Sequence, residues 1–433
     1  MNRRDFLNIS LPIYSALAMS PSLLSSFKVS NPKILLHTGW NTNNIGDQGH
    51  TPGTLRYLEQ HFPEAKIICW LNSTNEETNQ ILKRRFPKIE IIMGNLDKYG
   101  KADNPTLQQA FDKADLVIQN SGMSFNSFWK PPSILEACNR NQKLLCNYGQ
   151  SFDGFKKEDE PHMVEELSKI FANYCRDNES YYYLRKIGVK STILAWGPDG
   201  CFGIDVKNDE KAIRYLEEHG LEEKKFITVI MRTNTSDKKP EELPSWDVGD
   251  TSQNPWNPTQ EDAEQDEFWA EKLREVIIAW VEKTGLKVFL ASEVKKEIYH
   301  SKRLIYDRLP AHIQGKVIHK AEWWNMDEAC SIFSRAHTLV ATEPHSLIMA
   351  LANNTPIIHL FSKRHGLKAW MFRDIGLPEW LIDIDSEPAE TAIRSLMDIY
   401  HNYGNALTKV KRAIEMVEKR SAEIIGDIKR KLS

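Results

Sequence analysis

The chain of 433 residues is predicted to be an α/β protein with two doubly wound, Rossmann-like domains facing a central cleft. Short apolar runs alternate with amphipathic stretches, the β-α-β-α order that builds a parallel sheet covered by helices. The series occurs twice, in halves of about equal length, and paired domains of this kind bind ligands between them. Polar and glycine-bearing stretches collect where strands end, the side on which open α/β sheets bind ligands.

In the first half, "KILLHTG", "KIICWL", "IEIIMG", "LVIQNSG" and "KLLCNYG" read as strands buried on both faces. Between them, "GTLRYLEQHF", "ETNQILKRRF", "LQQAFDKA" and "SILEACNRN" read as helices. "NYCRDNESYYYLRKIGVKSTILAWGPD" adds a short strand, a helix capped by Asp177 or Asn178, and another strand. These elements make an N-terminal domain of residues 31–206. The second domain, 207–403, holds "KAIRYLEEHG" and "FWAEKLREVIIAWVEKTG" as helices around the strand "KFITVIMR". "KVFLASE", "KVIHK", "HTLVAT", "TPIIHLF" and "WLIDID" follow as strands with helices between them. Residues 404–433 form a lysine-rich amphipathic helix, whose charges mark a solvated face or a brace between the domains.

One segment breaks the alternation. Residues 233–267 are rich in Pro, Ser, Asp and Glu without a period, and structureless stretches beyond ~15 residues in compact domains are commonly functional or disordered. Trp246 and Trp256 within it suit stacking on sugar rings, so the insert is expected to contact an acceptor.

A net charge of −3 and the lack of a basic stripe interleaved with aromatics exclude general attraction to nucleic acid. After the N-terminus no apolar run approaches the ~18 residues of a membrane span. Residues 1–30 read as a targeting segment: Arg3-Arg4 precede Asp5-Phe6-Leu7, an uncharged stretch, and the cleavage-like Ala16-Leu17-Ala18. The pattern is similar to a twin-arginine signal, so export to the periplasm or cell envelope is expected, with a cytoplasmic location if the signal is not used. Six scattered cysteines, without C-x-x-C or a zinc-partner histidine, read as buried free thiols.

The chemistry-bearing residues fall at strand ends. "NTNNIGDQGHTPG" places Asn44, Gly46, Asp47 and Gly49 in a polar loop leading into a helix, and its amides can hold an anion or form an ordinary turn. Asn120, Ser121 and Gly122 follow the fourth strand, where glycine permits close approach of a ligand. Arg176 either pairs with a neighbouring carboxylate or clamps an anionic substrate. Arg232 ends "VIMR", and Lys363 and Arg364 follow "TPIIHLF"; converging cations of this kind suit a phosphate or carboxylate. His345 opens the helix after "HTLVAT", where it serves packing, capping or chemistry.

Together, "NIGDQG", the turn at 120–123, "CRDNESYYYLRKIGV" with "PDGCF", and "PHSLIMALANNTPIIHLFSKRHG" with "RDIGL" resemble the polysaccharide pyruvyl transferase family. The resemblance implies a two-Rossmann architecture similar to GT-B glycosyltransferases. It implies transfer of a carboxyvinyl unit from phosphoenolpyruvate to a sugar, closed to a pyruvate ketal, with no cofactor. It implies His345 as general acid/base, Arg176 and Lys363 as donor ligands, and Asn44 and Asp47 on the facing wall. Glu343 stands where the family pattern has an arginine, so Arg232 or Arg364 would supply that cation. A carboxylate so near His345 is expected to raise the imidazole pKa and favour a general acid. A nucleotide-sugar glycosyltransferase and an exported, non-catalytic glycan-binding relative are the alternatives. Oligomeric state is left open.

Overall fold

The computed structural model describes residues 31–126, 132–234 and 260–433. The first sheet comprises β1 (Lys33–Thr38), β2 (Lys66–Leu71), β3 (Glu90–Ile92), β4 (Leu116–Gln119), β5 (Gly122–Asn126), β6 (Leu145–Asp153), β7 (Ala172–Cys175) and β8 (Ile193–Trp196). Its order is β3-β2-β1-β4-β6-β7-β8, with β5 paired to β6 off that path. The second sheet comprises β9 (Phe226–Ile230), β10 (Lys287–Ala291), β11 (Val317–His319), β12 (Thr338–Ala341), β13 (Ile357–Phe361) and β14 (Leu381–Asp383). It runs β11-β10-β9-β12-β13-β14. All strand pairs in both sheets are parallel. Every residue of β4, β9, β12 and β13 is buried, which explains why these strands read as continuous apolar runs rather than alternating ones. Each sheet reverses its winding beside its first strand, and the crevice at such a switch point is where ligands bind.

The first helix, Ile45–His61, corrects the expectation of a polar loop through Gly49. The Asn44 side chain accepts hydrogen bonds from Gly46 N (2.8 Å) and Asp47 N (3.3 Å), so the helix starts at once. Gly46, Gly49 and Gly53 then line one helical face. A Cβ at Gly49 would lie 2.6 Å from Cys201 Sγ and 2.8 Å from Met349 Cε, and one at Gly53 would collide with the Gly200 carbonyl oxygen. The glycines therefore serve close packing against the turn at Gly200–Gly203 and the helix Pro344–Ala352. Gly53→Ala is expected to destabilise the protein by about 1–3 kcal/mol, since backbone must move to admit the methyl. An unchanged urea midpoint would contradict this.

The helix Tyr403–Leu432 braces both halves. Tyr174 donates to Asp427 (2.9 Å) and Lys429 pairs with Glu64 (2.6 Å) in the first domain, while Lys409 pairs with Glu379 (2.6 Å) in the second. Its outer face is charged, so the brace and solvated-face readings both apply. The insert expected at 233–267 is shorter, because residues from Gln260 onward belong to the helix Gln260–Thr284. Asn234 N donates to the Asp266 carboxylate (2.9 Å), tying the two ends of the insert together. Trp246, Trp256 and residues 1–30 lie outside the described residues. The six cysteines are free and buried. Among the described residues no helix is long and apolar enough to cross a membrane.

Candidate active site

The two sheets meet through the residues that follow β1, β10 and β12. Ile45 N donates to Glu293 O (3.0 Å) and Lys295 N to Asn43 O (2.9 Å), stitching the first domain to the second. A Cβ at Gly46 would sit 2.7 Å from His345 Cβ and run into the Glu293 carboxylate, so glycine is what lets the joint close over these side chains.

His345 occupies the first turn of Pro344–Ala352 and is only 6% exposed. Its Nδ1 lies 3.4 Å from Glu293 Oε1. Its Nε2 and that same Oε1 are buried without a hydrogen-bond partner. The other Glu293 oxygen accepts from Ser346 N (2.8 Å) and Ser346 Oγ (2.6 Å), satisfying one orphan backbone donor at this helix's start from the segment after β10. Burial, and then repulsion from Glu343, lifts the Glu293 carboxyl to about 7. Burial, and then the neighbouring His50, pushes the His345 imidazole down to about 3. The 3.4 Å contact has the distance of an ion pair, yet the neutral imidazole prevails at neutral pH. Two charges withdrawn from water at such a separation recover less than their desolvation costs.

This corrects the expectation that Glu343 raises the His345 pKa. Glu343 faces Arg232 instead (Nη1–Oε1 2.8 Å). Burial opposes its ionisation, but Arg232 and then Lys368 outweigh burial and hold it at about 2. Arg232 also approaches Glu297 (3.6 Å), whose carboxyl burial raises to about 8.

A second chain of polar groups reaches His345 from the first domain. The His50 ring meets the His345 ring edge-on, with centroids 4.6 Å apart. His50 Nδ1 lies 2.8 Å from Asp199 Oδ1, and the second Asp199 oxygen takes Arg176 Nη1 at 2.9 Å. Arg176 Nε donates to Ser151 Oγ (2.8 Å), which donates to Asp177 (2.7 Å). Burial alone would raise the Asp199 pKa, but His50 and Arg176 hold it well below the usual carboxylate range. Asp47 lies one helical turn before His50, and its pKa is raised by burial. Among the described residues, two sets bring three potential metal-ligand atoms within 4.8 Å of one another: Asp47, His50 and His345, and Glu293, Glu343 and His345.

The expected convergence of Arg176, Arg232 and Lys363 on one cleft is corrected in part. Arg232 enters the buried cluster beside Glu343. Arg176 is fully buried against Asp199, which is the paired alternative weighed for it. Lys363, with a 71% exposed side chain, pairs with Asp383 (2.9 Å), and Arg364 pairs with Glu261. Asn120 and Ser121 do not line an open surface. Asn120 accepts from Thr54 Oγ1 (2.7 Å) and donates to His50 O (3.2 Å), while Ser121 Oγ accepts from Gly200 N (2.7 Å). They pin the segments that carry His50 and Asp199. Gly122 opens β5 beside β6.

His50, Asp199, Glu293, Glu297 and Lys368 escaped the sequence reading. Glu293 had a local signal, as a carboxylate directly after the strand "VFLAS". Lys368 acts electrostatically on Asp47, Glu293, Glu343 and His345, and its side chain makes no hydrogen bond or ion pair among the described residues.

The family model described as polysaccharide pyruvyl transferase matches residues 44–361. The amylovoran biosynthesis protein AmsJ of Erwinia amylovora is 22% identical over 386 residues, spanning 86% of this chain and 87% of that protein. A Listeria monocytogenes structure assigned as a UDP-N-acetylglucosamine 2-epimerase superposes with a TM-score of 0.55 at 12% identity, over 92% of this chain and 95% of that one. MnaA of S. aureus, in its co-structure with UDP, gives 0.53 at 12% identity over 91% and 94%. These likenesses establish a GT-B-like fold.

Proposed function

We propose, since the chain belongs to the polysaccharide pyruvyl transferase family and is a transferase, that it moves a carboxyvinyl unit from phosphoenolpyruvate onto a glycan hydroxyl and closes it to a pyruvate ketal. The observation that carries this reading is Glu293. A carboxyl lifted to about 7, with one oxygen unpartnered, holds its proton up to the edge of the neutral range, where a general acid needs it. One sugar hydroxyl adds at C2 of the donor while Glu293 protonates C3, and the carboxylate so formed takes up the proton that the hydroxyl releases. A second hydroxyl then displaces phosphate from C2 and gives its proton to the departing group. Arg232 and Lys368 supply positive potential for the multiply anionic donor, and the neutral His345 imidazole contacts the reacting groups. AmsJ is named for amylovoran biosynthesis, which supports a glycan acceptor.

The test combines the full chain, phosphoenolpyruvate and candidate glycans. Phosphate release matched one-to-one by a ketal methyl signal in the NMR spectrum of the glycan is the expected result. Turnover with a nucleotide sugar, and none with phosphoenolpyruvate on any acceptor, would replace this reading.

A further inference from the structure

We infer that Asp47, His50 and His345 form a binding site for one divalent transition-metal ion, held between the two domains. Each contributes a potential ligand atom within 4.8 Å of the other two. Atoms that share such an ion lie about 3–4 Å apart, because metal–ligand bonds are near 2.1 Å. Small inward shifts of side chains therefore complete the site.

The surroundings prepare both imidazoles for this task. His50 turns Nδ1 to Asp199 at 2.8 Å, and His345 turns Nδ1 toward Glu293 at 3.4 Å. Asp199 behind His50 leaves that ring's Nε2 for a ligand, the arrangement in which an outer carboxylate orients a metal-bound histidine. His345 Nε2 is buried and has no hydrogen-bond partner, a costly state that a cation relieves. Asp47 lies on the same helix as His50, at the spacing that puts both side chains on one face. No hydrogen bond engages its carboxylate among the described residues. Asp199 is itself fixed by Arg176 at 2.9 Å, so His50 is held on a rigid support.

The rival set of Glu293, Glu343 and His345 is less suited. Glu343 is committed to Arg232 at 2.8 Å and one of the two Glu293 oxygens to Ser346 at 2.6 Å, so a cation there would compete with an arginine. Two imidazoles and one carboxylate favour manganese, iron, cobalt or zinc over magnesium or calcium, which prefer oxygen ligands. Three protein ligands leave positions open for oxygens of an anionic ligand. The inference goes beyond the proposed reaction and does not depend on its donor.

The test uses the full chain, stripped with a chelator and freed of it, then titrated with Co(II), Mn(II) or Zn(II) alone. One ion per chain by equilibrium dialysis, visible Co(II) bands and a raised melting temperature are expected. Asp47→Asn and His50→Gln should each bind at least about tenfold more weakly, and Asp199→Asn should weaken binding through His50 by about 10–100-fold. Asp47→Asn keeps the size of a half-buried side chain and so keeps the fold, as circular dichroism would verify. No saturable binding below about 1 mM, or unaltered binding by both Asp47→Asn and His50→Gln, overturns the site.

Discussion

Glu293→Gln is expected to lower turnover by about 10²–10⁴-fold, the contribution of a positioned general acid. Glutamine keeps the shape and can still accept from Ser346 N and Oγ, but it has no proton to give. The helix start and the domain joint should therefore survive while the chemistry fails. The pH dependence has a definite sign. Wild-type turnover should fall as pH rises through about 7, because Glu293 loses its proton there. Folding stability shows the same group. Its carboxyl binds a proton more tightly in the folded chain than at its ordinary value of 4.5, so its contribution is complete below 4.5 and is lost as pH rises to about 7. Glu293→Gln should flatten that part of the stability profile. Phosphate release with a verified acceptor measures the first effect and urea midpoints across pH the second. Full turnover by the variant would remove Glu293 from the mechanism.

Asp199→Asn should be the most destabilising of the single substitutions considered, at about 3–5 kcal/mol. Arg176 is buried with a side chain only 1% exposed, and Asp199 is the carboxylate that neutralises it at 2.9 Å. An asparagine leaves that buried guanidinium without its directly bonded carboxylate, and only Asp177 beyond Ser151 remains nearby. The double variant Arg176→Met with Asp199→Asn removes the stranded charge, so it should recover part of the loss. Denaturant unfolding of the three proteins measures this. Equal stability of the single variant and the wild type would show that Arg176 finds another partner. Because the Asp199 pKa is depressed, its contribution is present above the ordinary value of 3.8 and is lost as pH falls below it.

Some of this was legible in the sequence because it is local. Strands such as β4 and β12 announce themselves as unbroken apolar runs, since both faces are covered, and alternation with amphipathic stretches sets a parallel, doubly wound order. Asp177 caps its helix through Ser180 N, from a side chain beside its target. The place of His345 at a strand's carboxyl end belongs to the same class.

What only the tertiary structure decided concerns partners distant along the chain. Gly46 and Gly49 looked like a loop because glycine is a poor helix former, but close approach to His345 and Cys201 outweighs that local preference. Arg176 could be placed at a strand end from sequence, yet its direction toward Asp199 depends on where β8 ends beside β7. His50 meets His345 because two domains close on each other, and no spacing along the chain encodes that. Protonation was least legible of all. Glu343 lies two residues from His345 in sequence, but it faces Arg232, and burial takes the imidazole down while it takes Glu293 up. A pKa is set by the water excluded and the charges that remain nearby, and both are properties of the assembled fold.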